Sequence, residues 1–283
     1  MNAGLPPLRE VVARHELGAK KSLGQHFLLD LNLTRKIVRL ADIAPGERVL
    51  EIGPGPGGLT RSLLEAGADV VAIERDARCL AALEDLAAAY PGKLTLVEGD
   101  ALAIDERALA ARPVKIVANL PYNISTELLI KWLRANQEGA PLWSRMALMF
   151  QREVGERILA APGSKAYGRL SVAAQAASIP AHGFNLPARA FTPPPKVDSS
   201  VLVFSPARAP LADFTALERV TKAAFGQRRK MLRSSLKPVF RNDVEARLAA
   251  AGVAPTDRAE DVRVDQFVAL ARSPAMSITE RAS

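Results

Sequence analysis

The 283-residue chain predicts an α/β domain built on a parallel sheet, followed by a small all-helical domain at the C-terminal end. Three observations carry that prediction. Short β-branched runs alternate with helical stretches through the first two-thirds of the chain, the pattern of a parallel sheet covered on both faces. A proline- and alanine-rich segment, SPARAPLADF, follows the last of those runs. Beyond it the pattern is helical with basic clusters, and no convincing strand appears.

In chain order, a helix is expected over 34–40, introduced by Asp30 and Asn32. Strands are expected at 48–52 (RVLEI), 69–73 (DVVAI), 94–97 (LTLV), 115–118 (KIVA) and 146–150 (MALMF), with a late one at 201–204. Helical composition and spacing mark 59–66 and 77–88. The expected boundary lies near 206, giving a domain over 1–205 and a helical, basic one over 206–283.

Composition limits the class. Hydrophobic residues make up 48% and charged residues 24%, enough for a buried core. The single cysteine, Cys79, excludes an internal disulfide framework and suits a reducing, cytoplasmic setting. No run approaches the roughly 18 apolar residues that span a bilayer, and the N-terminus lacks the apolar stretch of a secretory signal. The net charge is +8, and all of it falls in residues 151–283, because residues 1–150 balance. A field concentrated on one part of a chain suits a polyanionic partner, although an ordinary arginine-rich surface gives the same count.

The strand ending at Ile52 runs into GPGPGGLT, where Gly53, Gly55 and Gly58 satisfy G-x-G-x-x-G between strand and helix. Glycine belongs there because the turn is tight and the backbone must approach a ligand closely. Glu74 closes the second strand, where a carboxylate accepts from ribose hydroxyls. Those features suit a dinucleotide almost as well as other nucleosides. Glu51, ahead of the loop, and Asp100, in EGDA, favour a ligand with a cationic amino-acid arm, an adenosine and no pyrophosphate. That description fits S-adenosylmethionine.

The fourth strand runs into Asn119-Leu120-Pro121-Tyr122. An exocyclic adenine amine is a poor nucleophile, because its lone pair is delocalised into the ring. Acceptors at its N–H groups favour a more tetrahedral nitrogen. The Asn119 side-chain carbonyl and a main-chain carbonyl at Leu120 or Pro121 are suited to supply them. Pro121 has a fixed φ and no donor. Tyr122 offers a flat face for an extruded base. The same residues also read as a plain strand-ending turn. In FTPPPKV, the triple proline makes a stiff segment able to present Phe191 to the other face of that base.

These segments resemble the ribosomal RNA adenine dimethyltransferases, and among them the bacterial small-subunit enzymes. The matching stretches are KKSLGQHFL at 20–28, VLEIGPGPGGLT at 49–60, AIERD at 72–76, EGDAL at 98–102 and NLPYNIST at 119–126. FQREVGERI at 150–158, FTPPPKVDSSV at 191–201 and AFGQRRKMLRSSL at 224–236 continue them in the family's order. The resemblance implies a Rossmann-like S-adenosylmethionine-dependent methyltransferase domain and a small helical C-terminal domain. It implies dimethylation at N6 of two adjacent adenosines near the 3′ end of small-subunit (16S) ribosomal RNA, in an assembling 30S particle. Gln25, His26 and Leu28 then border the cofactor with Gly53, Gly55, Glu74, Asp100, Ala101 and Asn119. The family commonly has asparagine where this chain has His26, which leaves a side-chain contact there open.

Lys222, Arg228, Arg229, Lys230, Arg233 and Lys237 form a run without an acidic residue, and a helix would put Arg229 and Arg233 on one face. Such a face neutralises phosphates. Arg152, Lys165 and Arg169 are weaker candidates. With three histidines in the chain, no metal site is expected. A monomer is expected, since no apolar helix seam stands out. A large-subunit RNA methyltransferase, a DNA adenine methyltransferase, a dehydrogenase and a non-catalytic assembly factor are the rival readings.

Overall fold

The computed structural model describes residues 4–18, 25–109, 113–227 and 229–272. In chain order its strands are β1 (Phe27–Leu28), β2 (Arg48–Ile52), β3 (Asp69–Glu74), β4 (Leu94–Glu98) and β5 (Val114–Asn119). They continue with β6 (Trp143–Gln151), β7 (Ser178–Leu186), β8 (Phe191–Thr192) and β9 (Ser199–Pro206). Seven form one sheet in the order β4-β3-β2-β5-β6-β9-β7, and β1 pairs with β8 in a separate antiparallel ribbon. From β4 to β6 every neighbour is parallel, whereas β9 runs antiparallel to β6, with Met146 opposite Phe204. The late expected strand is therefore an antiparallel strand beside an otherwise parallel set, a common arrangement in α/β sheets.

Consecutive residues of β2 and β3 are buried, so the middle of the sheet is covered on both faces. Leu31–Ala41 packs on β5 and β6, Gly58–Glu65 on β3, and Ala77–Ala89 on β4. Asp30 caps the first of these helices by accepting from the Asn32 amide, and Asp76 caps the third through Arg78. The core gathers Ile37, Val49, Leu63, Val70, Val117 and Met149 with Phe184, Leu186 and Val201.

Several elements lie outside the sequence expectations, among them β1, β8, the helices Leu8–Arg14, Arg152–Leu159 and Arg169–Ala177, and the two that follow. β7 (SIPAHGFNL) has no β-branched run and carries Pro180 and Gly183, which a strand tolerates at the sheet edge where it lies. Ser125–Ala135 is a helix, with Leu128, Leu129, Trp132 and Leu133 on its buried face.

The chain divides into two compact units, residues 1–155 with 180–206, and 156–179 with 207–283. The second boundary falls beside the expected 206. Residues 156–179, expected in the first domain, group instead with the second unit. There the Tyr167 hydroxyl donates to the Val262 carbonyl at 2.9 Å, and its ring meets Phe225 edge-on at 5.9 Å. The described part of this unit is helical apart from the first two residues of β7. Its core joins Val172 with Leu217, Val220, Leu232, Leu248 and Phe267.

Candidate active site

The chain enters the sheet at β2, proceeds outward to β3 and β4, then crosses to β5 on the other side. The crevice beyond the carboxyl ends of β2 and β5 is the switch point at which open α/β sheets bind ligands. Gly53 follows β2, Glu74 ends β3, Asp100 follows β4 and Asn119 ends β5. Because these strands are parallel, all four residues arrive at one end of the sheet. They line a single cleft together with Gln25, His26, Leu28, Glu51, Gly55, Ala101, Leu120, Pro121 and Tyr122.

The glycines are explained by what surrounds them. Gly53, Gly55 and Gly57 have φ of 65°, 55° and 87°, which disfavour any side chain. A Cβ on Gly55 would stand 3.1 Å from the Phe27 ring, and one on Gly58 only 2.5 Å from the Leu28 carbonyl oxygen. The loop is thus pressed against the segment 27–28 on one side and leaves its open side to the cleft.

Each carboxylate has its own environment. Glu74 accepts from three main-chain amides: Gly55 at 3.1 Å, Arg75 at 2.8 Å and Asp76 at 2.8 Å. Burial pushes its pKa up and those donors pull against the shift. Asp76, bonded to the Arg78 guanidinium, is held well below the usual carboxylate range and also accepts from Gln25 at 3.2 Å. Asp100 accepts from the Leu102 amide at 3.0 Å and from Arg75 at 3.2 Å. Glu51 is the outlier. It is 1% exposed, and its Oε2 has no hydrogen-bond partner among the described residues. Burial, reinforced by the neighbouring Glu74 charge, raises its pKa from 4.5 to about 8. Hydrogen bonds from Thr60 pull against that shift, and a buried carboxyl group with one oxygen left without a partner at a cleft is suited to a ligand that brings a positive charge.

The other wall is formed by the Asn119 corner. Asn119 Nδ2 donates to the His26 carbonyl at 3.0 Å, and Oδ1 accepts no hydrogen bond among the described residues. Only the amide nitrogen can pair with a carbonyl, so the side chain's orientation is settled. His26 Nδ1 lies 2.8 Å from the Pro193 carbonyl, which only accepts, so Nδ1 carries the proton. The His26 ring stacks on Tyr122 with centroids 5.5 Å apart and planes 28° off parallel. The Ala101 carbonyl is held by Lys131 Nζ at 2.7 Å, and Lys131 also reaches Ile104 and buried Glu106.

Phe191 is the expected site residue that the structure keeps out of the cleft. It is 3% exposed, pairs with Leu28 in the β1–β8 ribbon and belongs to the main core. The ring that meets Tyr122 is His26. Arg75 lines the cleft and Ser199 reaches it through the Tyr122 hydroxyl; neither is among the expected site residues, and the only signal for them is their place in the matched stretches AIERD and FTPPPKVDSSV.

Lys222, Arg229, Lys230, Arg233, Lys237, Arg152, Lys165 and Arg169 are all exposed, and Arg228 lies outside the described residues. Arg229 and Arg233 do not share a helix face. The helix Phe214–Phe225 ends before Gly226, the chain turns, and the next helix, Leu232–Ser235, begins after Met231. Arg229 lies in a turn and Lys230 in a bend, so only Arg233 of the pair is on a helix. Among the described residues no cluster of three or more histidine, cysteine, aspartate or glutamate side chains is placed to hold a metal ion.

The strand order, the glycine loop and the Asn119 corner define a protein of the Rossmann-like methyltransferase class. The family profile "Ribosomal RNA adenine dimethylase" matches residues 17–275, and the chain belongs to that family. It is 58% identical over 272 residues to the ribosomal RNA small subunit methyltransferase A of Ruegeria sp. (strain TM1040), covering 95% of this chain and 96% of the relative. The protein of the same name from Sinorhizobium medicae is 56% identical, covering 95% and 97%. Among solved structures, a dimethyladenosine transferase from Plasmodium falciparum is similar with a TM-score of 0.73 and 26% identity, over 87% of this chain and 96% of that one. The 23S rRNA methyltransferase ErmE gives 0.67 and 26%, over 87% and 98%. Membership of this family sets the dehydrogenase reading aside.

Proposed function

We propose that the protein transfers methyl groups from S-adenosylmethionine to N6 of two adjacent adenosines near the 3′ end of small-subunit (16S) ribosomal RNA. The observation that carries the reading is the orientation of Asn119, whose amide is tied to His26 and whose carbonyl is left to accept at the cleft. The small-subunit target rests on relatives 56–58% identical over nearly the whole chain that bear that name.

The cleft suits the cofactor chemically. The orphaned Glu51 Oε2 would face its cationic amino-acid end, Glu74 its ribose, and Asp100 with Ala101 its adenine, bordered by Gln25, His26 and Leu28. When bound, the cofactor would supply a methyl group on a positively charged sulfur; each transfer to N6 would leave a neutral thioether and release one N6 proton to solvent.

The chain's own residues then do the rest. Asn119 Oδ1 and a main-chain carbonyl at Leu120 or Pro121 accept from the two N6–H groups and draw the nitrogen lone pair out of the ring. Tyr122 offers its ring to the extruded base. Holding the two reactants in register is the main source of rate, worth roughly 7–11 kcal/mol in favourable cases. The exposed basic residues of the second unit hold the phosphates of a folded RNA, whose A-form helices are read by shape. We place this activity on an assembling 30S particle in the cytoplasm, carried out by a monomer. Among the described residues no helix is long and apolar enough to cross a membrane.

The test is methyl transfer from labelled cofactor to undermethylated small subunits, large subunits and adenine-containing DNA in parallel, with modified nucleosides identified by mass. Dimethyladenosine from small subunits alone is the expected result. Label in large subunits moves the protein to the ErmE-like branch. Particle binding without label anywhere replaces the enzyme with an assembly factor.

A further inference from the structure

We infer that Ser199 is a positioning residue that fixes the Tyr122 ring as the platform for the target base. The inference rests on the role proposed above for Tyr122. Ser199 opens β9 opposite Gln151 of β6 and is fully buried. Its hydroxyl oxygen lies 2.5 Å from the Tyr122 phenol oxygen, across 77 residues of sequence. Burial pushes the Tyr122 pKa up, so the phenol keeps its proton and the bond joins two neutral hydroxyls.

A tyrosine ring is set by two torsions, and both are restrained here. At its base, the chain is held in its turn by Ser125 Oγ, which donates to the Tyr122 carbonyl at 3.1 Å. The His26 ring lies against one face and limits rotation about the ring axis. Ser199 holds the far end and stops the ring from swinging about its stem. Ser199 is itself firmly placed, because Asp198 beside it accepts from the main-chain amides of Arg152 and Ala188, both at 2.9 Å. A ring fixed before the base arrives does not have to lose its freedom on binding.

This role separates the hydroxyl of Tyr122 from its ring. Phenylalanine at position 122 keeps a stacking face but loses the tether, and alanine at 199 does the same from the other side. If Ser199 acts only through that hydroxyl, the two changes remove one interaction, and the second costs nothing once the first is made.

The experiment is a kinetic cycle on the full chain with undermethylated small subunits: wild type, Tyr122→Phe, Ser199→Ala and the double variant. Cofactor dissociation constants and thermal midpoints are measured on the same four proteins. Each single variant is expected to lose about 3- to 10-fold in kcat, the size of one neutral hydrogen bond. The KM for RNA should stay near wild type, since phosphates are held elsewhere, and the double variant should match the singles. Losses that multiply in the double variant, or an undiminished kcat in Ser199→Ala, overturn the inference while leaving the methyltransferase reading intact. A wild type that makes no methylated adenine overturns that reading, and this inference with it.

Discussion

Asn119 donates its side-chain amide to the main-chain carbonyl of His26 at 3.0 Å, and this bond faces its Oδ1 in the opposite sense. The donor comes from the end of β5 and the acceptor from the start of the β1 segment, 93 residues earlier. A side chain that is free to flip would present donor and acceptor equally. Here the choice is made by a group that can only accept.

Asn119→Ala is expected to lower kcat by about 100- to 1,000-fold, the scale seen when one fixed hydrogen-bonding partner of a reacting group is removed. Asn119→Asp should fail as well, because a carboxylate cannot donate to the His26 carbonyl and is repelled by it. Cofactor affinity should move much less in Asn119→Ala. Single-turnover methyl transfer and calorimetry separate the two effects.

Glu51 makes stability depend on pH. Its folded pKa of about 8 stands above the ordinary 4.5, so between those values the folded protein holds a proton that the unfolded chain releases. The corresponding stability is complete below pH 4.5 and is lost as the pH rises through about 8, at about 1.4 kcal/mol per unit. Glu51→Gln should show a flatter profile over that window and gain on wild type at its alkaline end, as read by chemical denaturation. If a cation sits against Glu51, cofactor binding near neutral pH should release a proton. Calorimetry in buffers of different ionisation enthalpy reads that release.

Gly58 has no room for a side chain, since a Cβ would stand 2.5 Å from the Leu28 carbonyl oxygen. Gly58→Ala should force the 25–28 segment away from the loop, at a cost of about 1–3 kcal/mol. Because Gln25, His26 and Leu28 line the cleft, cofactor affinity should fall with stability. Thermal unfolding with and without cofactor distinguishes this from a purely local strain, for which the cofactor-induced shift would be unchanged.

Lys131 supports the Ala101 and Ile104 carbonyls and pairs with Glu106, which is 2% exposed. Lys131→Met should leave Glu106 with Trp132 Nε1 as its remaining side-chain donor, at 2.8 Å. The cost should be about 1–3 kcal/mol of stability and a weaker cofactor site. A denaturation curve and a binding isotherm on the same preparation test both parts.

Arg229→Ala, Lys230→Ala and Arg233→Ala should each weaken binding to small-subunit RNA across sequences. Withdrawing one cation from a phosphate should reduce the salt slope of binding by about one. Cofactor affinity should be unchanged. A variant that alters cofactor affinity but not the salt slope would remove that residue from the RNA surface.

Much of this was legible in the chain because it is local. The runs at 48–52 and 69–73 became β2 and β3 within a residue, since β-branched side chains between turn formers specify a buried strand wherever they lie. Asp30 caps the helix it was expected to introduce. The residues gathered from the strand ends meet in one cleft because a parallel sheet brings every carboxyl end to the same side. β7 is not legible because an edge strand needs little strand propensity, and Arg229 does not join Arg233 on one helix because it lies in a turn and the helix begins only at Leu232.

The amino-acid sequence by itself therefore determined the alternation of strands and helices, the glycine loop, the carboxylates around it and the Asn119 corner, all properties of neighbouring residues. Only the tertiary structure decided how distant segments meet. It paired 27–28 with 191–192, which sent Phe191 into the core and put the His26 ring on Tyr122. It brought Ser199 to the Tyr122 hydroxyl, and it grouped 156–179 with the C-terminal helices through Tyr167. The physical reason is the same each time. A buried ring or hydroxyl is satisfied by whichever group packing delivers, and no periodicity in the sequence names that partner.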